Sequence, residues 1–373
     1  MSSLRPVWAE IDRGALRQNV AVLREACAPA ALMAVVKADA YGHGAADVGT
    51  AAIDAGASWL GVALVEEGVA LREARIGAPV LVLSEPVADA AATVVRAALT
   101  PVVYTRGGID ALAKAAAGAG GDPVAVHLKV DTGMHRVGCS VDEALELARA
   151  VDDHRELVLD GVCTHLAVAD DPRDPYTGEQ LARFDAVLAV LGEAGLRPRV
   201  VHAANTAGAL AFAASRRDLV RIGIGIYGIA PAPALEGRVA LRPVMSVKAR
   251  VTHVKRLTAG SRLSYGLRYR LPADGFVATV PIGYADGVPR NLAHVGGEAL
   301  IGGRRHSIAG TVTMDQLMVD LGEQPAVPGD EVVLIGRQGD EEVTAAEWAQ
   351  RLGTIPYEIV CGVGPRVPRR LVG

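Results

Sequence analysis

The stretch Ala31-Leu-Met-Ala-Val-Val-Lys-Ala-Asp-Ala-Tyr-Gly-His-Gly44 (ALMAVVKADAYGHG) decides the fold. Residues 31–36 are an unbroken apolar run, too short for a helix and right for one strand covered on both faces, as in a parallel sheet. The run stops on Lys37, and the amphipathic stretch 44–56 follows. The same unit recurs outward along the chain. Further apolar runs lie at 58–63, 79–83, 99–103, 124–130, 157–163, 199–203 and 219–222. Ala-rich segments at helical period separate most of them, as at 88–97, 141–151 and 178–194, and the link from Ala203 to Asp218 is shorter. Eight strand candidates with helical crossovers predict an α/β fold, a (β/α)8 TIM-type barrel. The rival is a doubly wound open sheet. No G-x-G-x-x-G opens the first crossover, which counts against its dinucleotide-binding form.

After about Arg242 the pattern changes. Strand-like runs at 244–254, 276–282, 299–301, 307–313 and 331–335 are broken by Gly, Pro and Asp, and only 344–352 reads as a helix. This predicts a mostly β C-terminal domain. Val7–Ile11 reads as a strand joining that domain, with a helix over 13–26. The expected organisation is residues 1–11 as an N-terminal strand associated with the β domain, 12–240 as the barrel and 241–373 as the β domain.

The 373 residues are enough for two domains, and half of them are hydrophobic. The net charge of −4, without a basic run, argues against a nucleic-acid surface. No apolar stretch is long enough to span a membrane, and Met1–Glu10 has no apolar core of a secretory leader. Cys27, Cys139, Cys163 and Cys361 lack metal or disulfide spacing and read as small core residues of a cytoplasmic protein. Eight Tyr against three Phe give an aromatic content with polar, titratable tips.

Lys37 ends the first barrel strand, at the face where barrels build active sites. Partial desolvation there favours the neutral amine, which forms a Schiff base with an aldehyde cofactor. The alternative is a lysine that snorkels from a strand end to solvent. Tyr41, Gly42 and Gly44 predict a loop that approaches a ligand closely.

The run VVKADAYGHG at 35–44 resembles the cofactor-attachment signature of the alanine racemase family. The likeness continues in order through VDTGMHRVG at 130–138, THLAVAD at 164–170, HAANTAG at 202–208, RIGIGIYG at 221–228, SYG at 264–266, GYADG at 283–287, TMDQLMVD at 313–320 and YEIVCGVGPRVPR at 357–369. The resemblance implies a barrel plus a β domain, pyridoxal 5'-phosphate on Lys37, a homodimer with shared active sites, and interconversion of L- and D-alanine for peptidoglycan synthesis.

It also implies roles. Tyr41, Thr206, Gly223 and Ile224 hold the cofactor phosphate, with Asn205, His165 and Tyr357 also at the cofactor. Glycine suits a phosphate turn because no side chain blocks the backbone donors. Arg221 bonds the pyridine nitrogen. As a donor only, it pairs with an unprotonated ring, a weaker electron sink than one facing an acid. Lys37 and Tyr265 of the partner subunit are the two bases. A phenol free in water titrates near 10, so ionising it at pH 7 costs about 4 kcal/mol, and His165 and Arg221 stand behind it. Arg136 meets the substrate carboxylate and the cofactor hydroxyl. Lys129, close upstream, is carbamylated in the family; otherwise it pairs with a carboxylate such as Asp131. Met314 and Asp315 match the loop that meets the substrate carboxylate, and Tyr284 and Tyr357 match the entrance.

Three other functions fit parts of the pattern. A serine-preferring or broad-specificity racemase is a close variant. A barrel decarboxylase of the same cofactor class would release carbon dioxide. A non-catalytic single-barrel cofactor carrier would lack the 130-odd C-terminal residues that hold Tyr265, Tyr284 and Tyr357.

Overall fold

The computed structural model describes residues 4–373; Met1–Ser3 of the predicted 1–11 segment lie outside them. The chain forms two compact units. One holds the described residues through Ala15, Tyr41–Gly44 and Pro243–Gly373, and the other holds Leu16–Ala40 and Ala45–Arg242.

In the second unit the eight apolar runs each contain a parallel strand: Ala31–Val35, Trp59–Val62, Val80–Val82, Thr100–Val103, Val124–Lys129, Leu157–Cys163, Val200–His202 and Leu219–Ile222. Each of the first seven pairs with its neighbour, and the eighth returns to the first, Ala31 opposite Leu219 and Ala34 opposite Ile222. Between the seventh and eighth strands no ladder forms. That seam closes through Asp218 N–H to Val201 O and Arg221 N–H to Ala204 O, both 3.0 Å, and Val201 N–H to the Asp218 carboxylate at 2.8 Å.

Met33, Trp59, Leu81, Val102, Cys163, Val200 and Leu219 fill the barrel interior. Burying a large apolar side chain of this kind is worth about 1.5–3 kcal/mol. The outer helices follow the same logic. Arg106–Ala119 buries Ile109, Leu112, Ala113 and Ala116, one stripe at helical spacing, and Thr105 caps it by accepting from Gly108 N–H. The short link after the seventh strand carries a helix at Thr206–Ala211.

The expected loop after Lys37 is instead a helical turn, Lys37–Gly42. It is left-handed: φ is 52° at Ala38, 50° at Asp39, 55° at Ala40 and 53° at Tyr41. Such a conformation costs an L-residue roughly 1–2 kcal/mol, so the surroundings must enforce it. Glu67 accepts from Ala38 N–H at 2.6 Å, and Asp39 accepts from Ala45 N–H at 2.8 Å. Within the other unit, Arg369 donates twice to the Gly42 carbonyl, at 2.9 and 2.7 Å. Gly42 itself has φ +79°, and a Cβ there would lie 2.6 Å from Val360 O.

In the first unit Val7–Asp12 lies between antiparallel Met245–Arg250 and parallel Arg369–Val372. A three-stranded sheet joins His253–Leu257, Gly275–Val280 and Leu317–Gly322. The expected strand at 244–254 is thus two strands of different sheets. The one expected at 307–313 is displaced to Arg304–Ser307, because Gly310 at φ +77° turns the chain away and leaves Ile308 with a single bridge. A second helix, Pro356–Cys361, starts on a proline and follows Ile355 in extended geometry. Its last residue corrects the reading of four core cysteines: Cys361 is exposed, while Ile359 and Val360 take the buried face. Among the described residues no helix is long and apolar enough to cross a membrane, and no three metal-ligating side chains gather.

Candidate active site

The C-terminal ends of the barrel strands collect cations. Arg221, on the eighth strand, is only 5% exposed and faces no carboxylate among the described residues. Its Nη1 donates to His202 Nδ1 at 2.8 Å and to His202 O at 3.2 Å. Its Nη2 donates to Thr164 O at 2.8 Å, Ala203 O at 2.9 Å and His165 Nδ1 at 3.1 Å. Both terminal nitrogens are therefore engaged, and Nε has no partner among the described residues. Arginine stays protonated when buried, so both imidazoles must accept. Burial first, and then the Arg221 charge, hold His165 and His202 well below the usual histidine range.

Lys129 ends the fifth strand and is 9% exposed. Among the described residues its Nζ reaches only a carbonyl, Leu83 O, at 3.3 Å. Burial pushes its pKa down; the Cys163 thiol opposes this, and Arg221, Arg136 and Lys37 add to it. The alternative partner, Asp131, is otherwise engaged. Its Oδ1 accepts from the N–H groups of Gly133 and Met134 at 2.9 Å and of His135 at 3.1 Å, which holds that carboxyl below its ordinary value despite burial. Asp131 thus shapes the loop that carries Arg136. Tyr176 OH to Gly133 O and Arg183 to Thr132 O, both 2.9 Å, brace the same loop. Arg136 is exposed and forms no ion pair among the described residues. A small cleft is lined by Lys129, Arg136, Thr164 and His165.

Where the seventh and eighth strands end, Asn205 caps the short helix by accepting from Gly208 N–H at 2.9 Å, and buried Thr206 accepts from Gly223 N–H at 3.0 Å. A Cβ on Gly225 would lie 2.9 Å from Thr206 Cγ2. Ile224 begins the turn that follows, whose Tyr227 donates to Val35 O at 2.9 Å. The turn is thereby fixed against the strand that delivers Lys37.

The remaining predicted residues belong to the other unit. Tyr265 is 73% exposed, in a tight turn where Ser264, Gly266 and Leu267 have positive φ. Thr311 donates to Tyr265 O at 3.1 Å. Tyr284 N–H donates to Thr313 O and Ala285 N–H to Met314 O, at 3.0 and 3.1 Å. Tyr265, Tyr284, Met314 and Asp315 therefore stand on one connected loop system. Gly283 makes the close approach possible, since a Cβ there would overlap the backbone of Thr313 and Met314. Asp315 pairs with Arg366 at 2.6 Å. Tyr41 and Tyr357 have ring centroids 6.1 Å apart, and burial raises the Tyr41 phenol, so it stays protonated.

Several contributors escape the sequence reading. Glu67 and Arg369 brace the left-handed turn. Asp286, fully buried as a side chain, is held by Arg5 at 2.7 Å and caps Gly283 N–H at 3.0 Å. His127 stands two residues before Lys129, and that parity was the available signal: both point into the barrel.

A cation-lined mouth on a closed parallel barrel belongs to an enzyme that handles a small anionic substrate. The family models described as alanine racemase, N-terminal domain, and alanine racemase, C-terminal domain, match residues 11–231 and 244–371. The chain belongs to the alanine racemase family. It is 47% identical to the alanine racemase of Symbiobacterium thermophilum over 99% of this chain and 98% of that one. The crystal structure of alanine racemase from D-cycloserine-producing Streptomyces lavendulae superposes with a TM-score of 0.95 at 39% identity, covering 100% and 98% of the two chains. A histidine racemase from Leuconostoc mesenteroides subsp. sake also matches, with a TM-score of 0.90 at 31% identity, covering 100% and 99%.

Proposed function

We propose that this protein interconverts L- and D-alanine with pyridoxal 5'-phosphate, and so supplies D-alanine for peptidoglycan. The observation that carries this reading is the Arg221 fork: two nitrogens locked to neutral imidazoles and carbonyls, and one N–H without a partner among the described residues. That donor set suits an unprotonated ring nitrogen and would reject a protonated one. The Thr206–Gly223–Gly225 turn, which a Cβ would fill, suits a phosphate at the same barrel end. The residues present therefore fit the cofactor.

When bound, the cofactor draws electron density from the substrate α-carbon and so makes its proton removable. The chain supplies the rest. Lys37 would hold the cofactor, and its amine would move the α-proton on one face. Tyr265 of the partner subunit serves the opposite face, with His165 behind it. Thr206, Gly223, Ile224 and Tyr41 anchor the phosphate, with Asn205 also at the cofactor. Arg136, Met314 and Asp315 bind the substrate carboxylate, and Tyr284 and Tyr357 narrow the entrance. Lys129 as a carbamate orients Arg136, a role that its three cationic neighbours and its lack of a carboxylate partner favour. Formation of that carbamate joins a neutral amine to carbon dioxide with loss of one proton, and burial promotes the neutral amine.

A second reading is racemisation of a larger or more polar amino acid, favoured by the likeness to a histidine racemase. Racemisation assays across the amino acids, with the absorption spectrum of the purified protein and a measurement of carbon dioxide release, test both. The expected result is a yellow protein, fastest on alanine, with no carbon dioxide. A colourless protein, or decarboxylation, overturns the proposal.

A further inference from the structure

Beyond Arg221 a polar chain continues down through the apolar barrel interior. His202 Nδ1 accepts from Arg221, and its other nitrogen, Nε2, lies 2.8 Å from His127 Nδ1. His127 Nε2 lies 3.5 Å from Asp160 Oδ2, an electrostatic approach longer than a hydrogen bond, and makes no hydrogen bond among the described residues. Asp160 is held at both oxygens by Arg199, at 2.9 Å each, and the Arg199 side chain is 70% exposed. Three strands contribute, the fifth through His127, the sixth through Asp160 and the seventh through His202.

The two ends set the direction of every proton between them. Arg221 can only donate, so His202 must accept at Nδ1 and carry its proton on Nε2. That proton goes to His127 Nδ1, which leaves the His127 proton on Nε2, facing a carboxylate that only accepts. Burial keeps both rings neutral, the Asp160 and Arg199 charges at His127 being the only other local ones besides Arg221 and Lys129. The path is built for the purpose. His127 packs over Gly161, where a Cβ would come 2.6 Å from Nδ1, and beside Trp59 at 5.5 Å between centroids.

We propose that the Asp160 carboxylate, facing His127 across 3.5 Å, and the hydrogen-bonded His127–His202 pair form a one-way polar chain that positions Arg221, so that its guanidinium keeps Nε disengaged from the other described residues. Asp160 and His127 touch neither substrate nor cofactor, and they act through His202. The consequence for the cofactor rests on the function proposed above; the tautomers do not. An amide at position 160 removes one of the two constraints, because its NH2 can donate to His127 Nε2, and the direction of the chain then rests on Arg221 alone.

The experiment uses the holoenzyme labelled with 15N-histidine. In the natural chain both His127 and His202 should be neutral with the proton on Nε2. Asp160→Asn should broaden or shift both signals. It should also make the bound cofactor's absorption pH-dependent across the neutral range and lower kcat about tenfold with KM within about twofold. Gly161→Ala, which displaces the His127 ring without altering a charge, should do the same. A proton on Nδ1, or a doubly protonated ring, in the natural chain overturns the proposal. So does an Asp160→Asn protein with unchanged histidine signals, spectrum and kcat. A natural chain that neither binds the cofactor nor racemises would instead overturn the function and leave the tautomer result standing.

Discussion

Arg221 Nη2 lies 3.1 Å from Nδ1 of His165, so the imidazole accepts there and carries its proton on Nε2. A second proton on that ring would face the Arg221 cation directly. The pH dependence of folding follows. In the unfolded chain a histidine titrates near 6.5. In the folded chain His165, His202 and His127 all stay neutral to lower pH, chiefly through burial. Below the unfolded value the unfolded chain binds protons that the folded chain does not. The stability is complete above that value and declines as pH falls through it, by at most about 1.4 kcal/mol per pH unit for each ring. Denaturation midpoints at fixed protein concentration should fall from pH 7.5 to 5.5, and a flat profile would contradict three neutral buried imidazoles.

Lys129 should carry a carbamate. Its neighbours are three cations and a carbonyl, and Asp131 is committed to its own loop. Equilibration with 13C-labelled carbon dioxide should give a carbamate resonance that Lys129→Ala lacks. An unmodified lysine at saturating carbon dioxide would show that the site tolerates a bare ammonium among its cations.

Gly225→Ala would place a methyl 2.9 Å from Thr206 Cγ2 and 3.2 Å from Ile222 Cγ2. Overpacking of this kind costs about 1–3 kcal/mol. Because it moves the turn proposed to hold the phosphate, cofactor dissociation should rise by about tenfold, roughly 1.4 kcal/mol. Unchanged affinity would remove Thr206 and Gly223 from the phosphate site.

Ala38→Gly separates handedness from composition. At φ 52° the alanine is strained by roughly 1–2 kcal/mol, which outweighs the 0.4–1 kcal/mol or so that glycine adds to unfolded-chain entropy. The melting temperature should hold or rise. Ala117→Gly, on the exposed side of the right-handed helix Arg106–Ala119, should instead lose about 1 kcal/mol. Equal losses at both positions would contradict the left-handed turn.

The barrel was legible because strands covered on both faces read as short, mostly apolar runs, and all eight were found in order. The β unit was less so. Its half-exposed strands alternate, and Gly310 bends the chain inside what reads as one strand. The left-handed turn was invisible, since Ala38, Asp39, Ala40 and Tyr41 are not the residues that announce positive φ. Motif residues such as Arg221, Thr206 and Lys129 were found through family resemblance. The partners that explain them were not, because His202 and His127 meet only when the fifth and seventh strands curve into one barrel. Lys129 and Asp131 show the opposite case: neighbours in sequence that do not pair, because the backbone N–H groups of residues 133–135 take the carboxylate first.

In the function proposed above, Lys37 of one subunit and Tyr265 of the partner subunit act on the same substrate. Lys37→Ala and Tyr265→Ala should each be inactive alone, and Lys37→Ala should also lose the absorption of lysine-bound cofactor. Co-expressed with separate tags, they should form mixed dimers with one site lacking both bases and one lacking neither. Random assembly makes about half of the dimers mixed, so about a quarter of the natural activity should return, and purified mixed dimers should recover about half. Purified mixed dimers that remain inactive, with cofactor bound at the intact lysine, would contradict the shared site.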